Sequence, residues 1–333
     1  MAQTPAPLPA QSAIYFARDA AALKDWDEDR AATRRMTDQL VLAVTGQPHL
    51  QKAWRSLVKP SDRVGIKIAA NGNRYFSTHA GIVEAIANGL EQAGVPRSRV
   101  VVWDRDVDDL RAAGYGAQVF GCRVASIAPG TGYDREAKFI APVLGRLIWG
   151  DLLFQEKQTR AGKRVDTSEQ LSSTSHFATI VSREVTKIIN VPVLSDEAGC
   201  GVAGALYNAA IPNVDNWRRF TQTDPSGAGS IPDLYADDHL GPKIVLTIMD
   251  ALVAQYAGGP HFDPNYAFVH GTIYASKDPV ALDATALRLI EGWRKEAKLP
   301  PIGARGEWLQ IAEQMALGHA AEERIVLRPV EAR

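Results

Sequence analysis

The stretch "DRVGIKIAANGNRYFSTHAGIVEAIANGLEQAGVPRSRVVVWDRD", residues 62–106, predicts a strand, a loop, a helix and a second strand. Val64, Ile66 and Ile68 alternate with other residues, as they do in a strand. The predicted helix carries a regular apolar stripe, and Gly94 supplies the residue type at which helices often end. Two strands joined through one helix pair in parallel and form a right-handed unit. This stretch therefore predicts an α/β fold.

The rest of the chain continues the alternation of strands and helices. The segments "TKIINVPVL" and "HGTIYAS" predict strands, "GPKIVLTIMDALVAQYAGG" predicts a strand followed by a helix or turn, and "PVALDATALRLIEGW" predicts a helix. Residues 17–45 have a charged, helical pattern, and Ser77 or Thr78 is the expected N-cap of the first βαβ helix. The fold class is therefore α/β, with a mainly parallel sheet, helices on both faces and Rossmann-like βαβ units.

The composition is that of an ordinary globular protein. The 333 residues are 46% apolar and 23% charged, with a net charge of -1. We assign residues 17–333 to a single α/β domain, with a subdivision near residues 116–180 as an alternative. The expected partner is a small molecule, because the chain has no basic field for nucleic acid and no apolar run of membrane-spanning length.

The N-terminal segment, residues 1–16, differs from the remainder. Its beginning, "MAQTPAPLPAQSA", is poor in charge and rich in Pro and Ala, so we expect no packed helix there. One interpretation is a mature exported protein, in the periplasm or beyond, whose signal has been removed. The other is a cytoplasmic protein, since the basic end and apolar core of a signal peptide are missing from this sequence.

Polar residues follow the predicted strands. In open α/β sheets, ligands bind at the carboxyl ends of the parallel strands, and carboxylates at three such ends are Asp104, Asp250 and Asp278. We predict that these three bind a divalent metal ion through oxygen ligands. The alternative is that they are independent caps and turn formers that never meet.

Three further residues are candidates for catalysis. Lys67 interrupts an apolar strand, His79 lies near a helix N-terminus that would keep it neutral, and Asp283 falls within the apolar arc of its helix. Each has a structural alternative: a lysine that reaches solvent, an ordinary histidine, and an aspartate that is buried and hydrogen-bonded to backbone.

Candidate substrate-binding residues are Asn71, Thr78, Cys200 and Asn208. The last two lie in the small-residue segment "AGCGVAGALYNAAIPN", whose backbone amides could hold a phosphate or carboxylate. Cys200 is either a stabilised thiolate or a structural residue. Cys122 is the other of the two cysteines in the chain, and two cysteines are too few to hold an iron–sulfur cluster, so we expect none. A disulfide between the two cysteines is left as an open alternative.

Seven segments together carry a family resemblance: "VGIKIAANG", "STHAGIVEAIANGLEQAGVP", "VVVWDRD", "RAAGYG", "KIINVPVLSDEAGCGVAGALYN", "IMDALVAQYAGGP" and "YASKDPVALDATAL". With them, residues 62 to 293 resemble the family known as domain of unknown function 362. The resemblance implies an α/β protein that is frequently exported in bacteria and is sometimes joined to ferredoxin-like cluster modules. It implies no particular reaction.

The chain departs from that family at polar positions around the expected pocket. Ser195 and Glu197 stand where the family usually has a basic residue and a histidine, Tyr207 replaces a lysine, and Ala69 replaces an asparagine. We therefore carry two hypotheses. One is an enzyme that acts on a small polar or anionic substrate, with metal assistance. The other is a non-catalytic extracytoplasmic protein that binds a small molecule or a metal.

Overall fold

A computed structural model describes residues 8–71, 73–154, 170–221 and 225–331. Its strands, in chain order, are β1 Ser12–Arg18, β2 Leu23–Lys24, β3 Asp27–Glu28, β4 Val64–Ile68, β5 Val100–Asp106, β6 Gln118–Val119, β7 Cys122–Ala128, β8 Tyr133–Arg146, β9 Leu171–Ala178, β10 Lys187–Val191, β11 Val193–Glu197, β12 Gly201–Val202, β13 Ile244–Gln255, β14 Ala267–Ser276 and β15 Ile325–Pro329. The α-helices are α1 Arg30–Thr45, α2 Leu50–Leu57, α3 Ala80–Ala93, α4 Val107–Ala112, α5 Ala205–Ala210, α6 Pro225–Ala228, α7 Ile231–Ala236, α8 Pro279–Glu296 and α9 Trp308–Gln314.

An 11-stranded sheet organises the chain, in the order β15-β1-β14-β13-β10-β4-β5-β7-β6, with β11 and β12 attached beside β13. The strands β13, β10, β4, β5 and β7 are parallel neighbours. The strand β14 runs antiparallel to both β13 and β1. The predicted mainly parallel α/β sheet is confirmed, and the reversal at β14 decides which strand ends share an edge.

Helices cover both faces of the sheet because successive strand residues point to opposite sides. In β5, Val102 belongs to the core beneath α1, α2 and α3, whereas Val101 belongs to the core that α5, α7, α8 and α9 complete. A strand buried on both faces is apolar throughout, as parallel strands usually are. The first of the helices has a side-chain cap, because Asp29 accepts a hydrogen bond from Ala32 N at 3.0 Å.

Several predicted boundaries are wrong. The N-terminal segment was expected to lie outside the domain, but β1 begins at Ser12 and pairs with β14 and β15. The helix predicted over residues 17–45 begins only at Arg30, after a short β2–β3 hairpin. The cap of α3 is His79 and not Ser77 or Thr78. The segment after Asp250 continues β13 instead of turning into a helix.

The region near residues 116–180 contributes β7 to the main sheet and also forms a separate two-stranded sheet from β8 and β9. Phe139 and Phe177 of this second sheet are buried in the same core as Val101. Residues 155–169, within this region, lie outside the described part, as do residues 1–7 of the N-terminal segment. Export of the protein stays a prediction.

None of the helices in the described ranges combines the length and the apolar character that a membrane span requires.

The contact between α2 and α3 provides a test of the packing. A methyl group on Gly89 would overlap the indole ring of the fully buried Trp54. We expect Gly89→Ala to lower the free energy of unfolding by about 1–3 kcal/mol, because overpacking forces the ring or the helix to shift. The matched control is Gly292→Ala, also within a helix but with open space around the new methyl group. It should stabilise the protein by about 0.5–1 kcal/mol through helix propensity. Urea unfolding measures both, and equal effects would contradict the packing.

Candidate functional site

A cleft of about 360 Å³ opens at the carboxyl edge of the parallel strands. Residues 69–71 after β4, residues 104–106 at the end of β5 and residues 260–261 after β13 contribute to its lining. Tyr207 and Asn208 of α5 line another side. Ligands of open α/β sheets bind at this edge, so strand-end reasoning from the sequence locates the cleft.

The floor of the cleft depends on one buried cation. Lys67 is 0% exposed, and its Nζ donates to Asp104 Oδ1 at 2.7 Å, Asn208 Oδ1 at 3.1 Å and the carbonyl of Ile68 at 2.6 Å. Burial lowers the pKa of Lys67, and the carboxylate of Asp104 opposes that shift. The other oxygen of Asp104 accepts from Ala70 N at 2.6 Å. Lys67 therefore lies beneath the cleft and positions Asp104 and Asn208, which line it.

Asp283, the aspartate within an apolar helix arc, is 0% exposed and serves α5 rather than the cleft. Its two carboxylate oxygens accept from the backbone N–H groups of Ala205 and Leu206, the latter at 2.9 Å. Asp283 thus caps a helix to which it does not belong, and that helix presents Tyr207 and Asn208 to the cleft. This position does not support the catalytic role predicted for it.

One wall of the cleft is cationic and aromatic. The guanidinium groups of Arg105 and Arg218 lie 4.6 and 4.9 Å from the ring centroid of Trp217. The Nη1 atom of Arg105 is buried and has no hydrogen-bond partner within the described residues. Burial lowers the pKa of Arg105, yet a guanidinium stays charged in proteins. A buried donor without an acceptor is costly, so this wall suits a ligand with an anionic group.

A third part of the cleft lining carries groups that can exchange protons, and we call it the rim. His261 lines the cleft together with Asp106 and Asp109. Burial, and then the neighbouring Asp106, raise the pKa of Asp109, while His261 opposes the shift. Trp149 is 75% exposed and adds an aromatic surface at the entrance.

His79 belongs to a different cluster. Both its backbone N–H and its Nδ1 contact Asp250 Oδ2, at 2.7 and 2.8 Å, and Glu28 lies close by at the start of α3, where it accepts from Gly81 N at 2.9 Å. Burial alone would lower the pKa of His79, but Asp250 and Glu28 together raise it above its ordinary value. This direction runs against the expectation that the helix terminus keeps the imidazole neutral, and His79 does not line the cleft.

Asp278 lies away from the cleft because β14 runs in the reverse direction, so its carboxyl end is at the opposite edge of the sheet. Its side chain caps α8 through Ala281 N at 2.8 Å. It also accepts from Ser12 Oγ at 2.5 Å and from His319 N at 2.9 Å. These contacts agree with the capping alternative.

The three carboxylates predicted to bind one metal ion therefore lie in three separate hydrogen-bond networks. This arrangement corrects the prediction of a metal site shared by Asp104, Asp250 and Asp278. In the ranges that the structure describes, no group of three or more His, Cys, Asp or Glu side chains is placed to hold a metal ion. At Asp104 the physical reason is plain: an ammonium and backbone N–H groups already occupy the carboxylate.

Of the predicted substrate-binding residues, Asn71 and Asn208 line the cleft and the other two do not. Thr78 is buried and donates to the carbonyl of Val191 at 2.8 Å, which fixes the loop after β4. Cys200 is buried, and burial and then Glu197 raise its pKa well above the ordinary value, which favours the structural alternative over a stabilised thiolate. Residues 195–200, expected to line the cleft, are absent from its lining, although Ala203 just beyond them contributes.

Sequence reasoning missed four residues that define the cleft: Arg105, Trp217, Arg218 and His261. Arg105 directly follows a strand-end aspartate that was singled out, so the same rule could have included it. Trp217 and Arg218 come from a short 3-10 turn, Trp217–Phe220, for which no strand or helix pattern exists.

Comparison with known proteins gives a family and little more. The family model described as domain of unknown function (DUF362) matches residues 58–288. Among solved structures, a crystal structure of a Thermotoga maritima protein is similar over 80% of this chain and 57% of that chain, with 9% identity and a TM-score of 0.35. The chain thus spans less than two thirds of that relative's length. No curated protein matches.

The titration of Asp283 provides a pH test. Burial raises its pKa to about 7, although the N–H groups of Leu206 and Ala205 oppose this shift. The ordinary value is about 4, so the folded protein binds a proton that the unfolded chain has released. The resulting stability is present below the ordinary pKa and is lost as the pH rises through about 7.

We therefore expect the cost of Asp283→Asn, in free energy of unfolding, to be roughly 1–3 kcal/mol larger at pH 5 than at pH 8. Urea unfolding of parent and variant at both pH values measures it. Other titrating groups, including His79, are common to both proteins and cancel in the difference. An equal cost at pH 5 and pH 8 would contradict the raised pKa, because a carboxylate that is ionised in both the folded and the unfolded protein contributes no pH dependence over this range.

The cysteines offer a second test. Cys122 and Cys200 are both buried free thiols, and burial raises the pKa of each. Because the thiolate is the reactive form, we expect both to react with a disulfide reagent such as DTNB far more slowly in the folded protein than in guanidinium chloride. If one thiol per folded chain reacts rapidly, mass spectrometry of the labelled protein will identify which cysteine it is. Such a result would contradict the burial of that cysteine.

Proposed function

The chain belongs to the family described as domain of unknown function (DUF362), since that family's model matches residues 58–288, and for this member we propose an enzyme that binds a small organic anion in the cleft and catalyses a proton transfer on it. The observation that carries the proposal is the pair of guanidinium groups, Arg105 and Arg218, that line the cleft against the ring of Trp217.

Anion binding follows from the two arginines at the wall. Arg105 and Arg218 both lie against Trp217, which restricts where their guanidinium groups can point. A carboxylate in the cleft would accept hydrogen bonds from the guanidinium groups that line it, and a charge-assisted bond of this kind is stronger than a neutral one. The aromatic rings of Trp149 and Tyr207 would contact the organic part of the ligand.

Proton transfer is assigned to the rim. His261 is the imidazole that lines the cleft, and an imidazole is the side chain most suited to exchanging protons near neutral pH. Asp109, whose pKa is raised by burial, is its acidic neighbour. Asp104 is less suited to act as the base, because Lys67 and two backbone N–H groups already donate to its carboxylate oxygens.

The second candidate function is a binding protein without catalysis. It is favoured by the same saturation of Asp104, which leaves the cleft floor without a free base. Anion binding is common to both functions, so turnover and not affinity separates them.

Binding is tested with benzoate, followed by the tryptophan fluorescence of the full chain, because Trp149 and Trp217 both line the cleft. We expect Arg105→Gln and Arg218→Gln each to raise Kd by about tenfold or more, the loss expected for one charge-assisted hydrogen bond. Arg35→Gln, an exposed arginine of α1, is the matched control and should leave Kd unchanged. Equal affinity in all four proteins would refute the assigned wall.

Catalysis is tested by NMR as deuterium uptake from solvent into a panel of small carboxylic acids. We expect His261→Gln to abolish uptake while its benzoate affinity stays within about twofold of the parent, because it removes a proton carrier and leaves both arginines. Binding without uptake in the parent would favour the non-catalytic function.

A further inference from the structure

A second cationic depression lies at the other edge of the sheet. We call it the amino-edge groove; it has a volume of about 360 Å³ and lies where β4, β5 and β7 begin. Its cationic side chains are Arg63, Arg99, Arg123 and Arg183. The cleft described above lies at the carboxyl ends of these same strands, and the two depressions share no lining residue.

Two of these arginines are held in place by backbone carbonyls alone. Arg63 donates from Nε to the carbonyl of Glu184 at 2.6 Å and from Nη2 to that of Arg183 at 3.2 Å. Arg99 donates from Nη1 to the carbonyl of Pro60 at 3.2 Å. A carbonyl fixes a guanidinium without neutralising it, and within the described part of the chain neither arginine forms an ion pair, so their remaining N–H groups can bind an anionic ligand.

The other two arginines are paired with carboxylates. Arg123 contacts Glu184, and Arg183 contacts Asp134, whose pKa it holds far below the ordinary value. These two ion pairs leave Arg63 and Arg99 as the arginines of the groove without a carboxylate at ion-pair distance among the described residues. Nearby, burial and then the charge of Arg63 lower the pKa of Lys243, which agrees with an excess of positive charge at this edge.

Three buried valines, Val100, Val101 and Val185, contribute apolar surface to the lining of the groove. A ligand that fills the groove therefore needs an anionic end and an apolar part. A phosphate monoester carries about −1.5 to −2 charges and three acceptor oxygens at neutral pH, which suits the guanidinium groups of Arg63 and Arg99. Guanidinium groups recognise phosphate oxygens through paired N–H bonds.

We infer that the amino-edge groove binds a small phosphate monoester, with its phosphate on Arg63 and Arg99 and its organic part on the three valines. This site is independent of the function proposed for the cleft. Occupation of one depression need not exclude occupation of the other, because they lie at opposite ends of the parallel strands.

The probe is phenyl phosphate, titrated calorimetrically into the full chain at 0.15 M NaCl, with phenol and inorganic phosphate as comparison probes. We expect phenyl phosphate to bind more tightly than either comparison probe. Arg63→Gln and Arg99→Gln should each raise its Kd by about tenfold or more. An unchanged midpoint of urea unfolding for Arg99→Gln would show that its weaker binding of phenyl phosphate does not result from a loss of folded protein.

Two control variants separate the groove from other cationic sites. Arg35→Gln tests for a general effect of removing an exposed arginine, and Arg218→Gln removes a cationic group from the cleft. Arg35→Gln should leave the Kd for phenyl phosphate unchanged, and Arg218→Gln should weaken only binding in the cleft, so that the Kd of the groove stays that of the parent. No binding at millimolar concentration, an unchanged Kd in both Arg63→Gln and Arg99→Gln, or a loss confined to Arg218→Gln would each overturn the inference.

Discussion

The burial of the Lys67 ammonium is the constraint on which the cleft depends. A charged group withdrawn from water is tolerated only when it is paired and fully hydrogen-bonded, and an ammonium has three N–H donors to satisfy. Asp104, Asn208 and the carbonyl of Ile68 supply three acceptors. These acceptors come from β4, β5 and α5, so satisfying one cation fixes the relative positions of three elements. Asn208 in turn donates to Asn190 Oδ1 at 2.8 Å, which brings β10 into the same network.

The direction of one strand determines which predicted residues meet. The alternation of apolar residues that marks a strand has the same period whichever way the strand runs, so sequence patterns identified β14 but could not show that it is antiparallel to β13. The βαβ unit from β4 to β5 was predictable because a helical crossover imposes parallel pairing. No helix lies between β13 and β14, and their antiparallel pairing places Asp278 at the edge opposite Asp104.

The parts of the site that the sequence predicted are those set by strand ends, namely Asn71, Asp104 and, through the small-residue segment, Asn208. Trp217, Arg218 and His261 enter the cleft from irregular segments whose positions depend on the packing of the whole domain. Local periodicity carries no information about such positions. A lysine within an apolar strand is unusual, but the sequence pattern is the same for a catalytic lysine and for a lysine that positions its neighbours. The hydrogen-bond partners of Lys67 in the folded protein distinguish these two roles.

Asp283 shows why a polar residue in an apolar helix arc need not indicate a site. The helix α5 begins after Gly204, which has no side-chain oxygen to accept from the first N–H groups, although helices usually begin with a residue that provides one. A side chain on Gly204 would overlap the carboxylate of Asp283, so the glycine creates the space through which an acceptor from α8 reaches the end of α5. Gly204 and Asp283 thus form one capping arrangement divided between two helices. Its consequence for the cleft is indirect: it fixes the first turn of the helix that carries Tyr207 and Asn208, and through Asn208 it supports the acceptor set on which the burial of Lys67 depends.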